Sequence, residues 1–196
     1  MRTFLALDID PDIRQKIEQF MDGIRAFAPD VRWLKPESLH VTLKFLGEQS
    51  PEAVEKIKES LSQVRSDPFD LKFRDYGFFP TAKSARVFWV GIEAGPQLAS
   101  LAAAIDEATA KLGIPKEDRA FSPHLTLARS GSGAQKVRKG DRPNRRFQQL
   151  QQKLEAFSRP DFGTMSAREF FLYESNLLRG GAQYTKLARF DLRTEN

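Results

Sequence analysis

A four-residue phrase occurs twice in the chain, as His40-Val41-Thr42-Leu43 and His124-Leu125-Thr126-Leu127, and each copy opens on one of the only two histidines in 196 residues. In an extended strand, residues i and i+2 share a face. Each His therefore projects beside its Thr, while Val41, Leu43, Leu125 and Leu127 turn towards a core. Each copy presents a group that titrates near neutrality next to a hydroxyl. The phrase also lies at a matched distance from an earlier apolar strand, 35 residues from Leu5 to His40 and 36 from Phe88 to His124. Such a chain is expected to fold as two copies of one unit, with the two phrases at equivalent places on facing lobes.

The intervening pattern repeats in the same order. Thr3 to Ile9 reads as a strand, and Asp10-Pro11 starts a helix whose apolar stripe is Ile13, Ile17, Phe20, Ile24 and Phe27. A turn at Lys35 to Ser38 leads to the first motif strand, Leu39 to Leu46. Ser50-Pro51 repeats the helix start, with Val54, Ile57, Leu61 and Val64 inward, and strands follow over Phe69 to Phe73 and Tyr76 to Phe79, with a break near Gly77 and Pro80. The order then restarts: strand Arg86 to Ile92, a helix on Leu98, Leu101, Ile105, Ala108 and Leu112 stopped at Gly113, and motif strand His124 to Arg129. A fourth helix on Phe147, Leu150, Leu154 and Phe157 precedes strands Arg168 to Glu174 and Tyr184 to Leu192. Alternating helices and strands with a duplicated order favour an α/β or α+β fold, a single bilobed, pseudo-twofold domain over residues 1–196 whose strand direction the pattern leaves open.

Composition bounds the chemistry. With 40% hydrophobic and 29% charged residues the chain has the balance of a folded soluble protein, and no run is long enough for a membrane span. No cysteine is present, which rules out disulfides and thiolate metal sites and fits a cytoplasmic setting. A net charge of +5 leans towards an anionic partner. Much of the excess is local: Arg129, Lys136, Arg138, Lys139, Arg142, Arg145 and Arg146 cluster with Gly131, Ser132, Gly133 and Gly140 after the second motif. Such a loop suits an RNA backbone, and equally a plain solvated loop.

Two imidazoles and two hydroxyls fit few reactions. Zinc needs three protein ligands, and no third His, Asp or Glu stands at ligand spacing. There is no nucleophile elbow for a serine hydrolase and no P-loop. What remains is in-line displacement at phosphorus, with one His as base on the attacking oxygen, the other as acid on the leaving oxygen, and threonine hydroxyls on the non-bridging oxygens. The alternation is symmetric and leaves open which His is which.

The stretches Leu39-His40-Val41-Thr42-Leu43-Lys44-Phe45-Leu46-Gly47 and Pro123-His124-Leu125-Thr126-Leu127-Ala128-Arg129 resemble the paired HxTx motifs of the two-histidine (2H) phosphoesterases. Within that superfamily they resemble the RNA 2′,3′-cyclic phosphodiesterase branch (LigT, also called 2′-5′ RNA ligase). The resemblance extends to Trp33, Gly77-Phe78-Phe79-Pro80, Arg86-Val87-Phe88-Trp89, Leu172-Tyr173-Glu174-Ser175 and Tyr184-Thr185, and is least along Arg138 to Arg146. It implies antiparallel sheets lining a central cleft with helices outside. It also implies hydrolysis of RNA 2′,3′-cyclic phosphate ends to 2′-phosphomonoesters; no cofactor or metal is expected, and the chain is expected to be a monomer. Carried over, His40 is the proton donor, His124 the proton acceptor, and Thr42 and Thr126 grip the phosphate. Phe45 and Arg129, five residues after each His, become neighbours of the base or phosphate. Strict alternation puts them on the opposite face from the histidines, so this role requires a bulge or a strand end. Alternatives are the reverse reaction, 2′-5′ RNA ligation, and a non-catalytic RNA-binding module.

Overall fold

The computed structural model describes residues 1–131 and 145–193. Most of the basic loop after Arg129 therefore lies outside the described residues. In chain order the elements are β1 (Arg2–Leu7), α1 (Pro11–Ile24), β2 (Arg32–Trp33), β3 (Val41–Glu48), α2 (Pro51–Leu61), β4 (Phe69–Phe79), β5 (Val87–Ala94), α3 (Pro96–Ala110), β6 (His124–Arg129), α4 (Gln148–Glu155), β7 (Asp161–Ala167), β8 (Glu169–Leu178) and β9 (Gly181–Asp191). Three of the helices start as the sequence predicts, with Pro at the first turn after an extended residue, and Ser50 caps α2 by accepting from the Ala53 N–H at 3.1 Å. None of the described helices is long and apolar enough to cross a membrane.

Two antiparallel sheets result, one ordered β3-β1-β8-β9 and the other β2-β6-β5-β4-β7. The motif strands hold equivalent positions, β3 beside β1 and β6 beside β5. The halves are nonetheless interleaved. β4 belongs to the first half of the chain but pairs with β5, and the β8–β9 hairpin takes the corresponding place beside β1. β2, also from the first half, joins the second sheet against β6.

The helices pack on the outer faces. One core cluster takes Ile13 and Ile17 from α1, Ile57 and Leu61 from α2, Leu101 and Ile105 from α3, and Leu150 and Leu154 from α4. It meets Leu5, Val41 and Leu43 of the first sheet and Phe88, Leu125 and Leu127 of the second. A separate aromatic cluster of Phe4, Ala6, Phe171 and Tyr173, with Tyr184 against it, lies on the other face of the first sheet.

Four details depart from the sequence expectation. The strand does not break near Gly77: β4 is continuous from Phe69 to Phe79, with a register irregularity at Asp75, a left-handed residue with φ 63°. Leu112 and Phe157, expected inward, are 39% and 54% exposed because α3 and α4 end before them, and Thr109 is buried instead. β7 was not anticipated at all. Gly163, at φ 103°, interrupts its alternation, leaving Phe162, Met165 and Ala167 buried at uneven spacing. α1 gives way to a 3₁₀ turn at Arg25–Phe27, so its stripe finishes less regularly than a single helix would.

Candidate functional site

Register locates the motif residues. In the first sheet Leu5 stands opposite Lys44 and Ala6 opposite Thr42, which leaves Leu43 as the extra residue of a bulge. In the second, Phe88 stands opposite Ala128 and Trp89 opposite Thr126, which leaves Leu127. The equivalence of Leu5 and Phe88 therefore holds in the ladder, since each faces the residue four after its His. A bulge residue shifts everything beyond it to the other face. Both motifs accordingly show one burial sequence, with the His and Thr partly buried, the residues at +1, +3 and +4 buried, and the +5 residue exposed. Phe45 and Arg129 are thereby returned to the side of the histidines, as their expected role demands. Phe45 is 59% exposed although its neighbours are core.

Each imidazole is tethered alike. His40 Nδ1 lies 2.8 Å from the Ser38 carbonyl and His124 Nδ1 2.9 Å from that of Ser122. A carbonyl only accepts, so Nδ1 is the donor in each ring and Nε2 is left for proton transfer.

The surroundings differ. The His40 ring packs against Phe4 at 4.8 Å and Tyr184 at 5.1 Å, with Tyr173 at 6.2 Å. Tyr184 comes from β9, at the far edge of the sheet, so the sheet must curl for it to reach His40. Behind the ring, Arg14 donates to Asp8 at 2.5 Å and to the Pro36 carbonyl, fixing the turn whose Ser38 carbonyl holds His40. Lys186 reaches Asp8 at 2.7 Å and lies 4.1 Å over the Phe171 ring. Burial pushes the Asp8 carboxyl up, but the Lys186 hydrogen bond, the Ile9 N–H and the charges of Lys186 and Arg14 outweigh it and hold it below its ordinary range. A pocket of about 380 Å³ opens here, lined by Asp8, Ser38, His40, Tyr173, Tyr184 and Lys186 among others.

Beside His124, among the described residues, stand Phe79 edge-on at 5.1 Å and Trp89 at 6.5 Å. Trp89 lies flat on Gly77, where a Cβ would come within 2.1 Å of the indole, so only glycine fits. Its indole N–H is buried without a hydrogen-bond partner among the described residues.

Burial lowers both imidazoles, and the Arg129 charge lowers them further against the opposing Ser38 and Ser122 carbonyls. His40, the more enclosed, falls to about 4. One guanidinium acting on both rings places Arg129 between the motifs, where β3 and β6 approach each other. Burial also pushes the Tyr173 and Tyr184 hydroxyls up, so both are neutral donors at physiological pH.

The residue just past the bulge carries another asymmetry. Lys44, 3% exposed, donates to Asp106 of α3 and to the Pro115 carbonyl at 3.0 Å. Its counterpart in β6 is Ala128. Sequence reasoning missed this pair, the Asp8–Arg14–Lys186 cluster and the role of Phe4. A lysine inside the apolar run Val41 to Leu46 was the one local signal. The others are brought together from up to 178 residues apart, as for Asp8 and Lys186. Among the described residues, no three His, Asp or Glu side chains converge as a metal-ligand group.

A cleft between two sheets, with a tethered imidazole and a threonine at matched positions on each, is the arrangement of a two-histidine phosphoesterase. The chain belongs to the LigT-like phosphoesterase family, whose model matches it twice, over residues 7–89 and 90–184, one match to each half. The RNA 2′,3′-cyclic phosphodiesterase of Archaeoglobus fulgidus is 34% identical over 191 residues, covering 97% of this chain and all of that protein. Its Escherichia coli counterpart is 30% identical over 194 residues, covering 97% and 96%. The crystal structure of E. coli LigT complexed with 3′-AMP superposes with a TM-score of 0.77 at 30% identity, covering 98% of both chains.

Proposed function

We propose that the chain is an RNA 2′,3′-cyclic phosphodiesterase that opens the cyclic phosphate to a 2′-phosphomonoester using His40 and His124 as its acid–base pair. The observation that carries this reading is the matched pair of half-sites, with the same bulge, the same Ser carbonyl tether and a free Nε2 on each ring. His124 Nε2 takes a proton from water as the oxygen attacks phosphorus. His40 Nε2 gives a proton to the 3′ oxygen as the P–O3′ bond breaks. Thr42 and Thr126 donate to the non-bridging oxygens, and Arg129 balances their charge. Phe45 offers an exposed ring to the base. The reaction needs no metal, and the chain acts as a monomer in the cytoplasm.

His40 as proton donor has to be charged, whereas burial holds it near 4 in the free protein. The anionic phosphodiester supplies the missing counter-charge and raises both imidazoles on binding. Substrate binding therefore works against the burial that keeps His40 neutral in the free protein.

The test is turnover of the four nucleoside 2′,3′-cyclic phosphates, and of RNA ending in one, with the position of the product phosphate determined. His40→Ala and His124→Ala should each lose roughly 10²–10⁴-fold in kcat, and EDTA should change nothing. Retained activity in the double variant, or loss on chelation, would overturn the reading. Joining of RNA halves would instead favour the ligase direction.

A further inference from the structure

Arg32 is the residue the proposed function leaves unused. It stands directly opposite Arg129 in the β2–β6 ladder, and cross-strand partners project from the same face. Its neighbour Trp33 faces the core, packing at 5.9 Å on Phe88 and donating its indole N–H to the Ala28 carbonyl at 3.0 Å. That fixes the register and leaves Arg32 exposed on the side to which the bulge returns Arg129. Like charges directly opposed in a ladder destabilise it. Neither guanidinium has a hydrogen-bond or ion-pair partner among the described residues, although ion pairs occur widely elsewhere on this surface. Two guanidinium groups side by side, unpaired among the described residues, form a site for anions.

The two are not equivalent. Arg129 acts on both imidazoles, whereas Arg32 acts on Arg129 and on the Tyr184 hydroxyl and on neither histidine. Arg32 thus lies one step outward from the reacting phosphate, on the edge strand of the sheet. Adjacent strands are about 4.8 Å apart, and two extended guanidinium side chains from them can grip neighbouring phosphates. Arg2, at the start of β1, acts on Tyr184 from within the first sheet.

We propose that Arg32 binds the phosphodiester on the 5′ side of the terminal nucleotide, next to Arg129 on the cyclic phosphate, so that the enzyme favours RNA chain ends over free cyclic mononucleotides. This rests on the cyclic phosphodiesterase reading above. The subsite reads charge and position, with no base specificity, because a phosphate contact carries no sequence information.

Adenosine 2′,3′-cyclic phosphate and the dinucleotide ApA ending in a 2′,3′-cyclic phosphate separate the two phosphates. Arg32→Gln should lower kcat/KM on the dinucleotide five- to tenfold through KM and leave the mononucleotide unchanged. On the dinucleotide, its slope of log kcat/KM against log salt should be shallower by about 0.7, the loss of one single-strand phosphate contact. Arg32→Lys should retain part of the effect, and Arg65→Gln, which removes a charge beyond α2, should show none. A parallel fall on both substrates places Arg32 at the scissile phosphate and overturns the proposal, as does no change on either. If the unmodified protein turns over neither substrate, the phosphodiesterase reading itself has failed, and the subsite falls with it.

Discussion

Around His40 three aromatic rings close in, and an Asp8–Arg14–Lys186 cluster braces the turn that holds it. Around His124, among the described residues, the neighbouring rings are Phe79 and Trp89. The backbones beneath are alike in register, bulge and carbonyl tether. Geometry was thus kept by the duplicated strand while electrostatics diverged through residues supplied by other elements. Burial lowers both imidazoles and lowers His40, the more enclosed, to about 4. The comparison can be broken at three points.

The largest effect is expected at Lys44, which has no counterpart beyond the small Ala128. Its ammonium is buried and neutralised by Asp106. Removing one partner of a buried ion pair strands the other charge, so Asp106→Ala should cost about 3–5 kcal/mol of unfolding free energy. Replacing both, as in the Lys44→Met and Asp106→Leu double variant, should recover most of it. Urea unfolding of the two variants reads this directly. A loss below about 1 kcal/mol for Asp106→Ala would mean that Lys44 reaches solvent, as an exposed pair would.

The second point is His40 itself. Its folded pKa of about 4 lies below the ordinary 6.5, so between those values the unfolded chain binds more protons than the folded one. His40 therefore leaves stability intact above pH 6.5 and erodes it as pH falls towards 4. At pH 4.5 the loss from this one group should be about 2–3 kcal/mol. In His40→Gln that part of the acid sensitivity should vanish, whereas His124→Gln should spare less. Denaturant midpoints at pH 7 and 4.5 compare them, and equal sparing by both substitutions would erase the proposed difference between the half-sites.

How much of this was legible in the sequence follows the same division. The repeated strand could be read because strand alternation and helix stripes are local, and so the pair His40 and His124, their threonines and the order of elements all emerged. The need for a bulge or a strand end before Phe45 and Arg129 also emerged, because a period of two is strict enough for its violation to be noticed. The interleaving of the halves did not, since strand order within a sheet leaves no local trace. Nor did the cage around His40, whose Tyr184 arrives from an edge strand through the curl of the sheet. Trp33 belonged to the recognised pattern, but its register against Ala128, which sets Arg32 beside Arg129, is a tertiary fact.

The finest distinction lies at the +5 positions, where one backbone site carries a ring in β3 and a guanidinium in β6. Arg129 lowers both imidazoles, so Arg129→Gln should let both rise. The two limbs of the kcat/KM profile, which report the free protein, should then move to higher pH together. Phe45 carries no charge and touches the Phe4 ring at 6.1 Å, so Phe45→Ala should leave both limbs in place. It should instead weaken binding of the terminal nucleotide by about 1–3 kcal/mol, the range for base stacking on an aromatic side chain. A pH–rate profile and KM for each variant distinguish these results. If Phe45→Ala moved the limbs, or Arg129→Gln moved only one, the two +5 side chains would not divide charge and stacking between them. The bulge they share would then have a packing role alone.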